Sequence, residues 1–127
     1  MEHAIEIRAR YQECDPMGVV HHTVYPVWFE MGRTELLRSG GGSYRDMEEQ
    51  GILLAVIRLE VKYHAPAKYD DVLELTTRLR GGSKVKIEHE YELRRGDDRL
   101  VTGNTVLACL DREGRPRALP DGLVLEE

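Results

Sequence analysis

The sequence predicts an α+β fold, with one long helix beside an antiparallel sheet of five strands. Three observations predict it: an early segment in which apolar and charged residues alternate, a middle segment with apolar residues three and four apart, and a second half that alternates between glycine turns. One helix covers only one face of such a sheet. We therefore expect the other face, or an edge, to meet another subunit of a homo-oligomer.

The first strand is predicted over residues 3–10, where Ile5, Ile7 and Ala9 alternate with charged residues. Residues 11–18 break this pattern with Asp15-Pro16 and Gly18, so they are predicted to form a loop.

The long helix is predicted over residues 23–38, where apolar residues recur at helical spacing. Pro26 fits only the first turn, in which backbone N–H groups lack helical partners, so the helix should begin near His22 or Thr23. Ser39 and the three following glycines end it. A short helical segment is expected over residues 44–50.

Four later strands are predicted over residues 58–63, 73–80, 84–93 and 100–110. Gly81-Gly82 and residues 96–98 supply the short turns of an antiparallel meander. In the last strand, most residues are apolar at both the odd-numbered and the even-numbered positions. These two sets face opposite sides of the sheet, so both faces of the strand are predicted to be covered.

Composition limits the classes of protein to consider. The 127 residues are 41% hydrophobic and 32% charged, which fits one folded domain over residues 1–127. A net charge of −5 argues against a broad nucleic-acid surface. No apolar run reaches the ~18 residues of a membrane span. The first ten residues lack the apolar core of a secretory signal, and Cys14 and Cys109 lie far apart, so a cytoplasmic location is expected.

The loop before the helix holds the densest set of reactive side chains. Asp15 lies there, close in sequence to a helix N-terminus, whose free N–H groups can stabilise an oxyanion. A carboxylate at this place can act as a nucleophile or as a general base toward water. The alternative interpretation gives Asp15 a structural role only. An aspartate before Pro16 and Gly18 also fits a turn in which the aspartate side chain accepts a backbone hydrogen bond.

Three further groups have competing interpretations. His21 and His22 suggest a metal site, but adjacent histidines point in different directions and no ligand motif accompanies them, so no metal is predicted. Cys14 is either a thiol nucleophile or a small buried apolar residue. His89 falls on the apolar face of its strand, which predicts a core histidine with one hydrogen bond.

A local group of cations interrupts this acidic chain between residues 75 and 87, where no acid occurs. It flanks the Gly81-Gly82 turn and suits either a phosphorylated ligand or a solvated strand end. Its members are Arg78, Arg80, Lys84 and Lys86.

The loop and helix carry a motif that resembles the 4-hydroxybenzoyl-CoA thioesterase branch of the hotdog-fold acyl-CoA thioesterases. The motif reads Tyr11-x-Glu13-Cys14-Asp15-x-x-Gly18-Val19-Val20-x-His22-x-x-Tyr25-x-x-Trp28-x-Glu30-x-x-Arg33. A second matching segment spans residues 63–71. The resemblance implies a hotdog fold, in which a curved five-stranded antiparallel sheet wraps around the long helix. It also implies dimers, or dimers of dimers, with the active site at a subunit interface.

The resemblance implies roles for individual residues. Asp15 corresponds to the catalytic aspartate, and the backbone amide of His22 corresponds to the oxyanion donor. The loop from Gly18 to Val20 shapes the pocket, and the side chains of His22 and Tyr25 face the acyl group or a water.

Two cations, Arg80 and Lys84, correspond loosely to residues that hold the CoA phosphates in relatives. The implied substrate is an acyl-CoA, without a metal or an organic cofactor.

The activity expected from this resemblance is hydrolysis of an acyl-CoA to a carboxylic acid and free CoA. Asp15 attacks the carbonyl or deprotonates water, and the acyl group is left open. Two other functions are weighed. One is a hotdog hydratase or dehydratase that uses His22 or His89, and the other is an acyl-thioester-binding module without turnover.

Overall fold

The computed structural model describes residues 1–120. The chain forms five strands, two α-helices and one short 3-10 helix over Tyr11–Glu13. The strands are β1 (Glu2–Arg8), β2 (Leu53–Tyr63), β3 (Val72–Gly82), β4 (Lys86–Arg95) and β5 (Asp98–Leu110), and the helices are α1 (Val24–Ser39) and α2 (Tyr44–Glu49). The predicted α+β class is confirmed.

The five strands form one antiparallel sheet in the order β1-β3-β4-β5-β2. The meander predicted for the second half is present from β3 to β5. β2 leaves this sequential order, because it pairs with β5 at the opposite edge of the sheet from β1. The segment between β1 and β2 contains both α-helices, and α1 packs on β1 and β3.

The strand boundaries differ from the prediction by up to five residues, and two of the differences change how the chain is read. β2 begins at Leu53, five residues before the predicted start, because the apolar run that precedes Arg58 extends the strand without alternating in polarity. Gly81 and Gly82 do not form the turn between β3 and β4. They end β3 after a bulge beyond Leu79, and the chain reverses over residues 83–85.

In the single chain, β5 has one buried face and one half-buried face. Val101, Gly103, Thr105, Leu107 and Cys109 are buried, and the residues between them are half-buried. The largest exposed apolar side chains of the sheet lie instead on the edge strand β2. They are Leu53, Val56, Ile57, Leu59 and Tyr63.

Helix α1 begins and ends where the sequence predicts. Pro26 occupies its first turn, and Gly41 takes a positive φ of 90° just after its end. The helix divides the apolar core into two clusters. Trp28 and Phe29 belong to the cluster beside its N-terminal half, and Leu36 belongs to the cluster beside its C-terminal half. The Phe29 ring stacks on Tyr91 of β4, with centroids 4.3 Å apart.

The closest approach between α1 and the sheet occurs at Gly32. A Cβ atom at this position would lie 2.9 Å from Leu75 Cδ2 and would also collide with the Thr77 hydroxyl, both on β3. Glycine therefore sets the depth at which the helix lies against the sheet.

Replacement of Gly32 with alanine tests this contact. Overpacking of a dense core costs about 1–3 kcal/mol, so Gly32→Ala should lower the free energy of unfolding by about that amount. Urea denaturation measures the change. Gly40→Ala is the control, since its added Cβ would meet no atom closer than 3.5 Å. Equal stability of the two variants would contradict this account of the packing.

Candidate active site

The loop between β1 and α1 folds back on itself as a small hairpin. Cys14 pairs with Val20, and the Asp15 N–H donates to the Val19 carbonyl over 2.9 Å. The Gly18 N–H donates to the Asp15 carbonyl, and Gly18 has a φ of 80°, which favours glycine. A second hydrogen bond, from Val20 N–H to the Ala67 carbonyl over 2.8 Å, ties the hairpin to the segment after β2.

The Asp15 carboxylate lies half-buried at the start of this turn. Its Oδ1 accepts a hydrogen bond from the Met17 N–H over 2.8 Å, so the side chain does hold the turn. Within residues 1–120, Oδ2 accepts no hydrogen bond. The turn therefore orients the carboxylate and leaves one oxygen available for chemistry.

Three backbone N–H groups at the entrance to α1 have acceptors. The His21 N–H donates to the Glu13 carbonyl, the Thr23 N–H to His21 Nδ1, and the Val24 N–H to the His21 carbonyl. The His22 N–H donates to no acceptor in the described chain. It is the group that the resemblance assigns as the oxyanion donor, and its free state suits that role.

Glu13 links the loop to the helix. Its side chain is 8% exposed. Oε1 accepts from the Arg10 N–H over 2.8 Å, and Oε2 accepts from Trp28 Nε1 over 2.9 Å. Burial raises the pKa of Glu13, but these hydrogen bonds and the Arg10 side chain outweigh burial and lower it below 4.5. A charged carboxylate thus fixes the loop against α1.

A cavity of about 290 Å³ opens beside the helix N-terminus. Three predicted site residues, Val20, His22 and Tyr25, line it together. Asp15 and Gly18 lie in the adjoining turn and form no part of this wall within the described chain. Tyr25 is buried, and its hydroxyl accepts from the Ala67 N–H over 3.3 Å. Burial raises the pKa of Tyr25, so the phenol stays neutral.

The end of β2 supplies the other wall of this cavity through Tyr63, His64, Ala65 and Pro66. The Tyr63 hydroxyl donates to the His22 carbonyl over 3.1 Å, and His64 Nε2 lies 2.9 Å from the Thr102 hydroxyl. No role was predicted for these residues from the sequence. The sequence does contain a signal for them, because they begin the second segment, residues 63–71, that resembles the thioesterase family.

The structure distinguishes the interpretations of Cys14. Burial raises the pKa of the Cys14 thiol, and the negative charges of Asp15 and Glu13 add to the effect. A protonated thiol is a poor nucleophile, so this environment does not favour Cys14 in that role.

His89 is a core residue, as predicted, but the predicted hydrogen bond is absent. Its Nδ1 has no partner within residues 1–120. It also lies outside the wall of the cavity at the helix N-terminus.

Two of the four predicted cations pair with acids. Arg80 contacts Glu90 over 2.9 Å, and Arg78 contacts Glu2 over 3.3 Å. β3 starts beside the loop that carries Asp15, where the Ala9 N–H donates to the Asp71 carbonyl. Arg80 and Lys84 lie at or beyond its other end, so a single chain does not bring them to the cavity.

No helix in the part of the chain that the structure describes is long and apolar enough to cross a membrane. Over the same residues, no group of three or more histidine, cysteine, aspartate or glutamate side chains is placed to bind a metal ion.

The Glu13 anchor predicts a pH dependence of stability. Because its pKa is lower in the folded chain than 4.5, its stabilisation is complete above pH 4.5 and is lost as the pH falls through the lower folded value. At pH 7, Glu13→Gln should cost about 1–3 kcal/mol of unfolding free energy. Below pH 4 the difference from wild type should shrink. Urea unfolding at several pH values measures it, with the exposed Glu88→Gln as control. A difference independent of pH would contradict the charged anchor.

Comparison with known proteins places this site in a family. Residues 17–102 match the family model described as the thioesterase superfamily. The chain is 33% identical to the putative acyl-CoA thioesterase YneP of Bacillus subtilis, over 91% of this chain and 88% of the relative. It is 31% identical to the acyl-CoA thioester hydrolase YbgC of Escherichia coli, over 94% of this chain and 91% of the relative.

A solved structure with a similar fold is the DHNA-CoA thioesterase from Staphylococcus aureus. Its TM-score is 0.90 at 34% identity, over 93% of this chain and 80% of that one. The hotdog fold implied by the sequence is confirmed, and so is the expected class of enzyme, a thioester hydrolase. The chain belongs to the thioesterase superfamily.

Proposed function

We propose that this protein hydrolyses acyl-CoA thioesters, with the Asp15 carboxylate and the His22 backbone N–H as its catalytic groups. The observation that carries the proposal is that His22, whose backbone N–H has no acceptor in the described chain, borders a cavity beside the Asp15 turn. The names of YneP and YbgC support CoA as the carrier of the acyl group.

In thioester hydrolysis the leaving group needs little assistance from the enzyme. The His22 N–H stabilises negative charge on the thioester oxygen as the carbonyl is attacked. A thiol has a reference pKa of ~8.5, so the thiolate departs without a strong general acid.

Two routes lead to the same products. In one, an Asp15 oxygen bonds to the carbonyl carbon, the C–S bond breaks, and water hydrolyses the resulting anhydride. In the other, Asp15 takes a proton from water and the hydroxide attacks the carbonyl directly. Both routes need the same placement of Asp15 beside the helix N-terminus, and both release a carboxylic acid and free CoA.

The motif residues support a finer assignment to the 4-hydroxybenzoyl-CoA thioesterase branch. We further propose that residues 1–127 act as one domain in the cytoplasm, where the thiols of Cys14 and Cys109 remain reduced. The hydratase alternative has less support, because His89 lies outside the cavity that His22 borders.

The role of Asp15 is testable with an isosteric variant. Asp15→Asn should lower kcat by about three orders of magnitude, because the amide is neither a nucleophile nor a base. Release of free thiol from a panel of acyl-CoA substrates measures the rate. Asp97→Asn, in the exposed turn between β4 and β5, is the matched control. Turnover by Asp15→Asn close to that of wild type on every accepted substrate would refute the assignment.

The edge strand β2 supports the proposal of a homo-oligomer. An exposed edge strand with apolar side chains is a ready surface for pairing with a second copy of the chain. We propose a dimer formed across β2, and further association into a dimer of dimers. Such an assembly would let Arg80 and Lys84 of one subunit serve CoA phosphates bound at another.

A charge placed on this edge should separate the subunits. Ile57 is 53% exposed. Ile57→Lys should convert a dimer or tetramer to smaller species, as measured by light scattering after size exclusion. Val72→Lys, a charge placed on another partly exposed strand residue, should keep the wild-type mass. An unchanged mass for Ile57→Lys would rule out this interface.

A further inference from the structure

A second cavity lies at the opposite end of α1 from the catalytic loop. Residues 1–120 enclose about 210 Å³ there, between the C-terminal half of α1, helix α2 and the adjoining ends of β3 and β4. Most of its wall is apolar, and it includes Leu36, Met47, Leu79 and Ile87. It shares no lining residue with the catalytic cavity.

One buried cation borders this cavity. Arg33 is 9% exposed, and its guanidinium lies 3.5 Å from the carboxylate of Glu30. That carboxylate belongs to a largely exposed side chain. A guanidinium carries five N–H donors, and burial of a charge is costly unless an anion and hydrogen-bond acceptors accompany it. Arg33 therefore has capacity for another anionic partner.

A buried histidine also lines this cavity. His89 is 3% exposed, and its Nδ1 meets no hydrogen-bond partner in the described chain. Burial lowers the pKa of His89 to about 4, and the charge of Arg33 adds to this. The imidazole is therefore neutral at pH 7, and one of its two ring nitrogens carries a proton that it can donate.

Tyr44 of α2 adds a third polar group to the wall. Burial raises its pKa to about 12, although Arg33 opposes the shift. The phenol stays protonated at neutral pH and can also donate.

The side of Arg33 that faces His89 is the better place for an anion. Arg33 and Tyr44 also border a neighbouring cavity of about 280 Å³, but Glu30 and Glu48 lie in the wall of that one. Their carboxylates repel an anion, whereas the described wall on the His89 side contains no acid.

We propose that the cavity bordered by Arg33 and His89 binds a small monocarboxylate with an apolar body. The carboxylate pairs with Arg33 and accepts from the neutral His89 and Tyr44. The apolar body lies against Leu36 and Ile87. A cavity of ~150 Å³ holds benzene, so this larger one suits a body of about six carbons with its carboxylate.

This site is separate from catalysis. Arg33 follows His22 by eleven positions, which is about 16 Å along a helix. Binding here does not depend on the hydrolytic activity, so the two proposals can fail independently.

Calorimetric titration of the full-length protein with hexanoate tests the site. We expect saturable binding of hexanoate, and binding of the uncharged 1-hexanol that is at least tenfold weaker. Arg33→Gln should weaken hexanoate binding at least tenfold. Arg38→Gln, on an exposed cation of the same helix, should not change it. Equal affinities for hexanoate and 1-hexanol, or no binding of hexanoate, would overturn the proposal.

A second measurement covers the case in which Arg33→Gln fails to fold. NMR of the wild-type protein should show hexanoate-dependent shifts of the His89 ring and the Met47 methyl group. Asp15→Asn should bind hexanoate as tightly as wild type. Shifts confined to His22 and Tyr25 would place the ligand in the catalytic cavity and contradict the proposal.

Discussion

The hydrogen bond from Trp28 Nε1 to the Glu13 carboxylate is the contact on which the arrangement of the site depends. It joins the loop that carries Asp15 to the core-facing side of α1. The same carboxylate accepts from the Arg10 N–H, and the Glu13 carbonyl accepts from the His21 N–H. One buried residue thus fixes both the start of the Asp15 turn and the approach to the helix N-terminus. Without it, the loop would keep its hydrogen bonds through Val20 and His22 but would lose its anchor on α1.

Helix α1 couples this loop to the sheet and separates the two cavities. Its depth depends on Gly32, where the sheet leaves no room for a side chain. His22, just before the N-cap of the helix, presents its N–H at one end, and the second half of the helix presents Arg33 to the opposite end of the fold. The apolar core forms two clusters along the helix, so the two ends can differ in chemistry within one fold.

Much of this fold can be predicted from the sequence. Apolar residues alternate with polar ones in β3 and β4 and recur at helical spacing in α1, and both patterns indicate an element with one buried face. The order of the strands cannot be predicted in this way, since β2 pairs with β5 through contacts distant in sequence. The loop motif identified Asp15 and the helix terminus. The role of Glu13 depends on its approach to Trp28, fifteen residues away. The pairing of Arg80 with Glu90 could not be predicted from the sequence either, because it depends on the register of β3 against β4.

A double-mutant cycle between Glu13 and Trp28 tests the central claim most directly. The kcat for thioester hydrolysis is measured for wild type, Glu13→Gln, Trp28→Phe and the double variant. If their hydrogen bond positions the catalytic loop, the second substitution should add little once the first has been made, so the two losses should be strongly non-additive. Independent, multiplicative losses would show that these residues act separately and would contradict the account.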